Sequence, residues 1–126
     1  MTDLIYRPRR LRRTPALRNM VRETQLNASQ LVYPLFIEEG IEETQPISTM
    51  PGIVRYPEKQ IDKAVKEAQA AGISSLLLFG VSHHKDETGS DSLKEDGLLS
   101  RMIKRAKDAA PDMTIISDNC FCEYTT

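Results

Sequence analysis

Cys120 and Cys122, the two cysteines of the chain, stand as Cys-Phe-Cys just after the apolar run Met113–Ile116 and close to Thr126. In an extended segment alternate residues point the same way, so both sulfurs can meet one metal ion or one substrate from one side. Two thiolates are half of a tetrahedral zinc set, which takes three or four soft or borderline ligands and leaves a position open where the metal activates water or substrate. The same pair also reads as two small, half-buried residues at a strand end. A disulfide between them is not expected: cysteines one residue apart are poorly placed to bridge, and a reducing compartment favours free thiols or metal ligation.

Asp118 precedes the pair by two residues, which places it on the same side as both sulfurs in an extended segment. Three roles suit it there: a general base, an acceptor for a substrate amine, or a strand-end carboxylate accepting backbone N–H groups. His83 and His84 offer imidazoles that bind zinc when neutral. They sit in the polar, acidic, glycine-containing stretch Ser82–Asp91, where a histidine pair is ordinarily solvated. They are not assigned as ligands.

Regular elements must position these groups, and the pattern from residue 31 onward is one of alternation. Residues 31–37 (LVYPLFI) read as a strand, with Pro34 acceptable at a central position only where the neighbour on that side is missing or irregular. A turn-rich stretch with Pro46, Pro51, Gly52 and Pro57 follows, read as a loop, with Pro57 in the first turn of the next helix. Ile61, Ala64, Val65 and Ala68 then fall at helical spacing, and Gly72 ends that helix. Residues 73–81 form a second strand whose unbroken Leu76–Phe79 suits cover on both faces. Leu98, Leu99, Met102, Ile103 and Ala106 make a second helical stripe ending before Pro111, and residues 113–118 make a third strand.

This succession is α/β, with parallel neighbours joined by right-handed crossovers. In such a sheet the loops after the strand carboxyl ends form the ligand face, where the two histidines, Asp118 and the cysteines all emerge. Three strands leave an apolar edge open on the third. A complete (β/α)8 barrel takes roughly 200–250 residues, so this sequence reads as the front part of a longer protein.

Composition narrows the function classes. The 126 residues are 40% hydrophobic and 28% charged, with a net charge of -1, which fits one modest globular domain. The longest apolar run, Leu76–Phe79, is far short of the roughly 20 residues of a membrane span, and no secretory pattern opens the chain, so a cytoplasmic location is expected. The first 22 residues carry +6 and the remainder -7. That division suits an arm gripping another subunit. Nucleic acid is not expected as a partner: the whole is slightly acidic, and three Phe, four Tyr and no Trp offer little for base stacking.

Eight segments in one order carry a resemblance. They are residues 7–13 (RPRRLRR), 16–24 (ALRNMVRET), 31–37 (LVYPLFI), 50–52 (MPG), 78–81 (LFGV), 85–90 (KDETGS), 96–98 (DGL) and 117–125 (SDNCFCEYT). Together they resemble the amino-terminal part of the bacterial porphobilinogen synthase family, also called delta-aminolevulinic acid dehydratase. The resemblance implies a TIM barrel, of which this chain supplies the first three β/α units over residues 31–126. Residues 1–30 would be an extended oligomerisation arm with a short helix, wrapping neighbours in a homo-octamer. It implies a hydro-lyase that condenses two molecules of delta-aminolevulinate into porphobilinogen, with loss of two waters, in tetrapyrrole (heme) biosynthesis.

The resemblance further implies roles for individual residues. Cys120 and Cys122 match the first two of three cysteine ligands in the zinc-dependent members, whereas members with aspartates there use magnesium or other ions. A second, non-catalytic magnesium is a further implication. Asp118 matches a substrate-side position. Two lysines of the family form Schiff bases with the substrates, a use that needs a desolvated amine of lowered pKa. Lys59, Lys63, Lys66, Lys85, Lys94, Lys104 and Lys107 do not match those positions, which belong with the third cysteine after Thr126. The expectation for residues 1–126 alone is an inactive fragment that binds zinc poorly. The alternative from another class is a non-enzymatic subunit-interaction module using the basic arm and the open strand edge.

Overall fold

The structure, a computed structural model, describes residues 9–126; the first eight residues, where the expected arm begins, lie outside the described part. A short helix α1 (Pro15–Met20) is capped by Thr14, whose hydroxyl accepts the Leu17 N–H at 3.2 Å. None of the described residues before Leu35 is buried. A 3-10 turn at Ala28–Gln30, closed by a capping box from Asn27 and Gln30, brings this segment onto the body, where the Ser74 hydroxyl donates to the Ser29 carbonyl at 2.9 Å.

The body is a mixed five-stranded sheet covered on one face by two helices. Its elements are β1 (Val32–Glu38), β2 (Gln45–Pro46), β3 (Val54–Pro57), α2 (Ile61–Ala70), β4 (Ser75–Val81), α3 (Leu98–Ala109) and β5 (Thr114–Ser117). The order across the sheet is β2-β3-β1-β4-β5, parallel except for the antiparallel β2–β3 pair. The three long-range strands read from the pattern are therefore present as parallel neighbours. β5 ends the described sheet, as the open-edge argument requires.

The stripes behave as their spacing predicts. Ile61, Ala64, Val65 and Ala68 of α2, with Leu98, Met102 and Ala106 of α3, are buried against Leu35 and Ile37 of β1 and Leu76 and Leu78 of β4. Each large aliphatic side chain so covered stabilises the fold by about 1.5–3 kcal/mol. Gly80 on β4 permits the close approach of α3: a Cβ there would lie 3.2 Å from the Met102 methyl and 3.3 Å from Leu98 Cδ2. α2 ends in a Schellman motif, with Gly72 at φ +84° and the Ile73 N–H donating to the Ala68 carbonyl at 3.1 Å.

Three expectations need correction. Residues 45–57 are not a featureless loop but hold β2 and β3, with Gln45 opposite Arg55 and Pro46 opposite Val54. Strands of two and four residues, interrupted by prolines, show no period to read. Pro57 closes β3 rather than opening α2; a 3-10 turn at Glu58–Gln60 intervenes, and the proline's fixed φ suits either place. The Leu76–Phe79 run is not fully covered on both sides. Leu76 and Leu78 are buried under the helices, while Leu77 and Phe79 on the other face are half-buried, Phe79 stacking on Phe36 with ring centroids 5.0 Å apart. Pro34 sits in a central strand by the exception foreseen, because β3 pairs with β1 only from Phe36 onward. Among the described residues no helix is long and apolar enough to cross a membrane.

Candidate functional site

Because β1, β4 and β5 run parallel, their carboxyl ends deliver Glu38 and Glu39, then Ser82, His83 and His84, then Asp118 and the cysteine turn to one rim. The Asp118 N–H donates to the Leu78 carbonyl at 3.1 Å, extending the β4–β5 ladder by one bond. Asp118, Asn119, Cys120, Phe121 and Tyr124 face Ser92, Leu93 and Leu99 across a small cleft of about 100 Å³. Asp118 and Cys120 thus share a cavity wall, whereas Cys122, which the spacing placed on the same side, is not among its lining residues.

The sulfurs come together by a different route from strand alternation. After β5 the chain folds into a 3-10 turn at Phe121–Glu123, and Cys120 Sγ accepts the Cys122 N–H at 3.4 Å. This turn brings the two Cα atoms to 5.6 Å, and the structure joins the sulfurs as a disulfide. The expectation against such a bond is therefore corrected: an extended Cys-x-Cys holds its Cα atoms at the far limit of the bridging range, whereas the turn draws them in to 5.6 Å, close to the commonest bridged separation. Both cysteines are exposed, open to a reductant or to a ligand.

The histidines go elsewhere. His83 Nε2 lies 3.2 Å from Glu38 Oε1, and His84 Nε2 lies 3.8 Å from Glu39 Oε2, so both turn to the end of β1 rather than to the sulfurs. Among the described residues no three His, Cys, Asp or Glu side chains converge as a metal cage.

Reasoning from spacing passed over a second polar cluster on this rim. Glu38 is buried, and Arg55 Nη1 lies 2.8 Å from its Oε2, a close ionic contact without hydrogen-bond alignment. Arg101 of α3 ties three segments together, donating to Glu39 at 3.1 Å, to both Glu58 oxygens at 2.8 and 2.9 Å, and to the Asp96 carbonyl at 2.6 Å. Buried Asp91 accepts from the Ser82 hydroxyl at 3.0 Å and from Lys94 at 2.9 Å. The one signal in the sequence was a carboxylate pair, Glu38-Glu39, closing an apolar strand. Its partners lie 17 and more positions away and leave no local trace.

These contacts set carboxyl titration. The Arg101 hydrogen bond holds Glu58 below the ordinary 4.5, against the opposing effect of burial, and Lys94 holds Asp91 below 3.8 in the same way. Glu123, beside the cysteines, moves the other way: burial raises it, neighbouring Asp118 adds to the rise, and Lys85 opposes it. For Glu58 and Asp91 the folded state binds protons less readily than the unfolded chain. Their stabilisation is complete above the ordinary carboxylate range and is lost as pH falls through it. Thermal unfolding followed by circular dichroism is expected to show Tm falling steadily below about pH 4.5. Arg101→Ala should flatten that slope, and an unchanged slope in the variant would refute the assignment to Arg101.

The family profile described as delta-aminolevulinic acid dehydratase matches residues 5–126. The chain belongs to the delta-aminolevulinic acid dehydratase family. It is 52% identical over 126 residues to the delta-aminolevulinic acid dehydratase of Escherichia coli (strain K12), covering 100% of this chain and 39% of that protein. The Ruminiclostridium josui enzyme of the same name is 44% identical over 123 residues, covering 98% of this chain and 60% of its own length. Among solved structures, the delta-aminolevulinic acid dehydratase (porphobilinogen synthase) of Toxoplasma gondii ME49, crystallised with the reaction product porphobilinogen, superposes with a TM-score of 0.86 at 35% identity. That match covers 98% of this chain and 35% of the other. The chain thus spans less than two thirds of the length of each of these relatives, from 35% to 60%.

Proposed function

We propose that this chain supplies the metal-binding rim of a porphobilinogen synthase, a hydro-lyase that condenses two molecules of delta-aminolevulinate to porphobilinogen with loss of two waters in heme biosynthesis. On this reading β1, β4 and β5 are the first three strands of a (β/α)8 barrel. The observation that carries it is the meeting of Asp118 and Cys120, with Cys122 bonded beside them, at the strand carboxyl ends, in a chain 52% identical to an enzyme of that name.

Zinc fits the donors present. Two exposed sulfurs held side by side are soft ligands that one ion can take once the pair is reduced to thiolates, and a third cysteine from outside these residues would complete the set. When bound, such an ion polarises a substrate carbonyl or a water. The residues of this chain do the rest on their side of the site. Asp118 faces the cleft and can orient an amine or hold a proton at its carboxylate. Leu93, Leu99 and Phe121 line the cleft with apolar surface. Magnesium as a second, non-catalytic ion belongs to the proposal through the family alone.

For residues 1–30 the proposed use is assembly into a homo-octamer, with a cytoplasmic location. Leu11, Met20, Val21 and Leu26 are 41–83% exposed along this segment, which supports contact with another subunit.

The family's Schiff-base lysines have no match among these residues, so the purified 126-residue chain is expected to form no pyrrole from delta-aminolevulinate. A colorimetric pyrrole assay checks this, and robust turnover would overturn the division of labour proposed here. Adding the remainder of the coding sequence should restore the reaction. A stop codon directly after Thr126 would instead support the subunit-interaction reading.

A further inference from the structure

The loop between β4 and α3 contains a carboxylate whose four hydrogen bonds are all local. Asp86 Oδ1 accepts the Thr88 N–H at 2.9 Å, the Thr88 hydroxyl at 3.0 Å and the Ser90 N–H at 3.0 Å, while Oδ2 accepts the Ser90 hydroxyl. These bonds favour the charged form, the Ser90 hydroxyl foremost, and hold Asp86 well below the usual carboxylate range. The carboxylate thereby fixes the shape of the 86–90 turn, and the consequence lies in what that turn touches.

It touches the cysteine turn. The Asp86 N–H donates to the Tyr124 carbonyl at 3.1 Å, and the Thr126 N–H donates to the Asp86 carbonyl at 3.3 Å, pairing Asp86 with Thr125 as a parallel bridge. Gly89, at φ +63°, is buried against the same segment: a Cβ there would stand 3.2 Å from Thr125 Cγ2, 3.6 Å from Tyr124 Cβ and 3.7 Å from Phe121 Cδ1. On the inner side the Phe121 carbonyl accepts from the Tyr124 and Thr125 N–H groups at 2.9 and 3.1 Å. The Phe121–Thr125 turn that carries Cys122 is therefore clasped from outside by backbone bonds to residue 86 and by the surface of residue 89.

We propose that Asp86 is a positioning residue for the Cys120–Cys122 pair: by shaping the 86–90 turn it holds the cysteine turn in the form that sets both sulfurs side by side. It touches neither sulfur. Groups that orient metal ligands commonly change affinity by about 10–100-fold when removed, and a backbone clasp on the ligand turn acts in the same manner.

Phenylarsine oxide, a trivalent arsenical that condenses with two adjacent thiols and releases one water, reads the mutual placement of the sulfurs in the reduced 126-residue chain without any zinc. This keeps the outcome independent of the zinc reading on which the site's proposed role rests. Asp86→Ala is expected to weaken arsenical binding about tenfold, the lower end of that range. Asp86→Asn, which keeps an Oδ1 acceptor, should restore binding to near the parent value. Arg105→Ala, which breaks a pair with Asp62 in the helix layer, should lose stability with no change in arsenical binding. Gly89→Ala, strained by its positive φ and by contact with Thr125, provides a second route to the same loss if Asp86→Ala does not fold by circular dichroism. Parent-like affinity in a folded Asp86→Ala or Gly89→Ala protein overturns the proposal, as does an equal loss in Arg105→Ala.

Discussion

In a full-length protein carrying these residues, Cys120→Ala combined with Cys122→Ala is expected to abolish stoichiometric zinc and nearly all porphobilinogen formation. Both substitutions remove donors rather than groups that orient donors. The fall should therefore exceed the roughly 10–100-fold that follows loss of an outer partner. Both cysteines are exposed in the turn after β5, outside the buried cluster, so the variant should fold with its core intact. Elemental analysis after gel filtration measures the metal, and colorimetry measures the pyrrole. Zinc retained at the parent ratio would remove the ligand assignment, whereas zinc lost with activity kept would separate the ion from the reaction.

The second large effect concerns stability. Arg55→Met leaves the Glu38 carboxylate, 8% exposed, without its nearest cation, with the His83 imidazole nitrogen 3.2 Å away as its remaining polar neighbour. Breaking a fully buried pair from one side costs roughly 3–5 kcal/mol. Arg55 is 32% exposed, and water screens part of the interaction, so about 2 kcal/mol is the expected cost. For a chain of this size that corresponds to a fall in Tm of roughly 5–10 °C. The double variant Glu38→Gln, Arg55→Met removes the stranded charge and should recover most of the loss. A single variant that melts with the parent, or a double variant that melts below the single, would show that the Glu38–Arg55 contact does not stabilise the rim.

These two tests fall on opposite sides of what spacing reveals. The cysteine pair and Asp118 were visible as chemistry because they lie within five consecutive residues after an apolar run. The Glu38–Arg55 pair was not, since its two members meet through a four-residue strand hidden among prolines. The same holds for Arg101, whose carboxylate partners Glu39 and Glu58 lie 62 and 43 positions away. The basic character of the first 22 residues was legible as a charge division, and the described part of that segment carries exposed apolar side chains that charge alone did not announce.

By itself the sequence determined the alternation of strands and helices, the faces of α2 and α3 that enter the core, and the rim on which the polar groups gather. Each follows from side-chain periodicity over four to twelve residues, which the backbone geometry of a strand or helix converts directly into direction. Only the tertiary structure decided the partners of those groups. It curled Cys-Phe-Cys into a turn instead of a strand end, sent His83 and His84 to β1, and laid the Asp86 turn along the cysteine segment. Such contacts join segments whose separation depends on loop path and on how the helices pack against the sheet, and no local spacing encodes either.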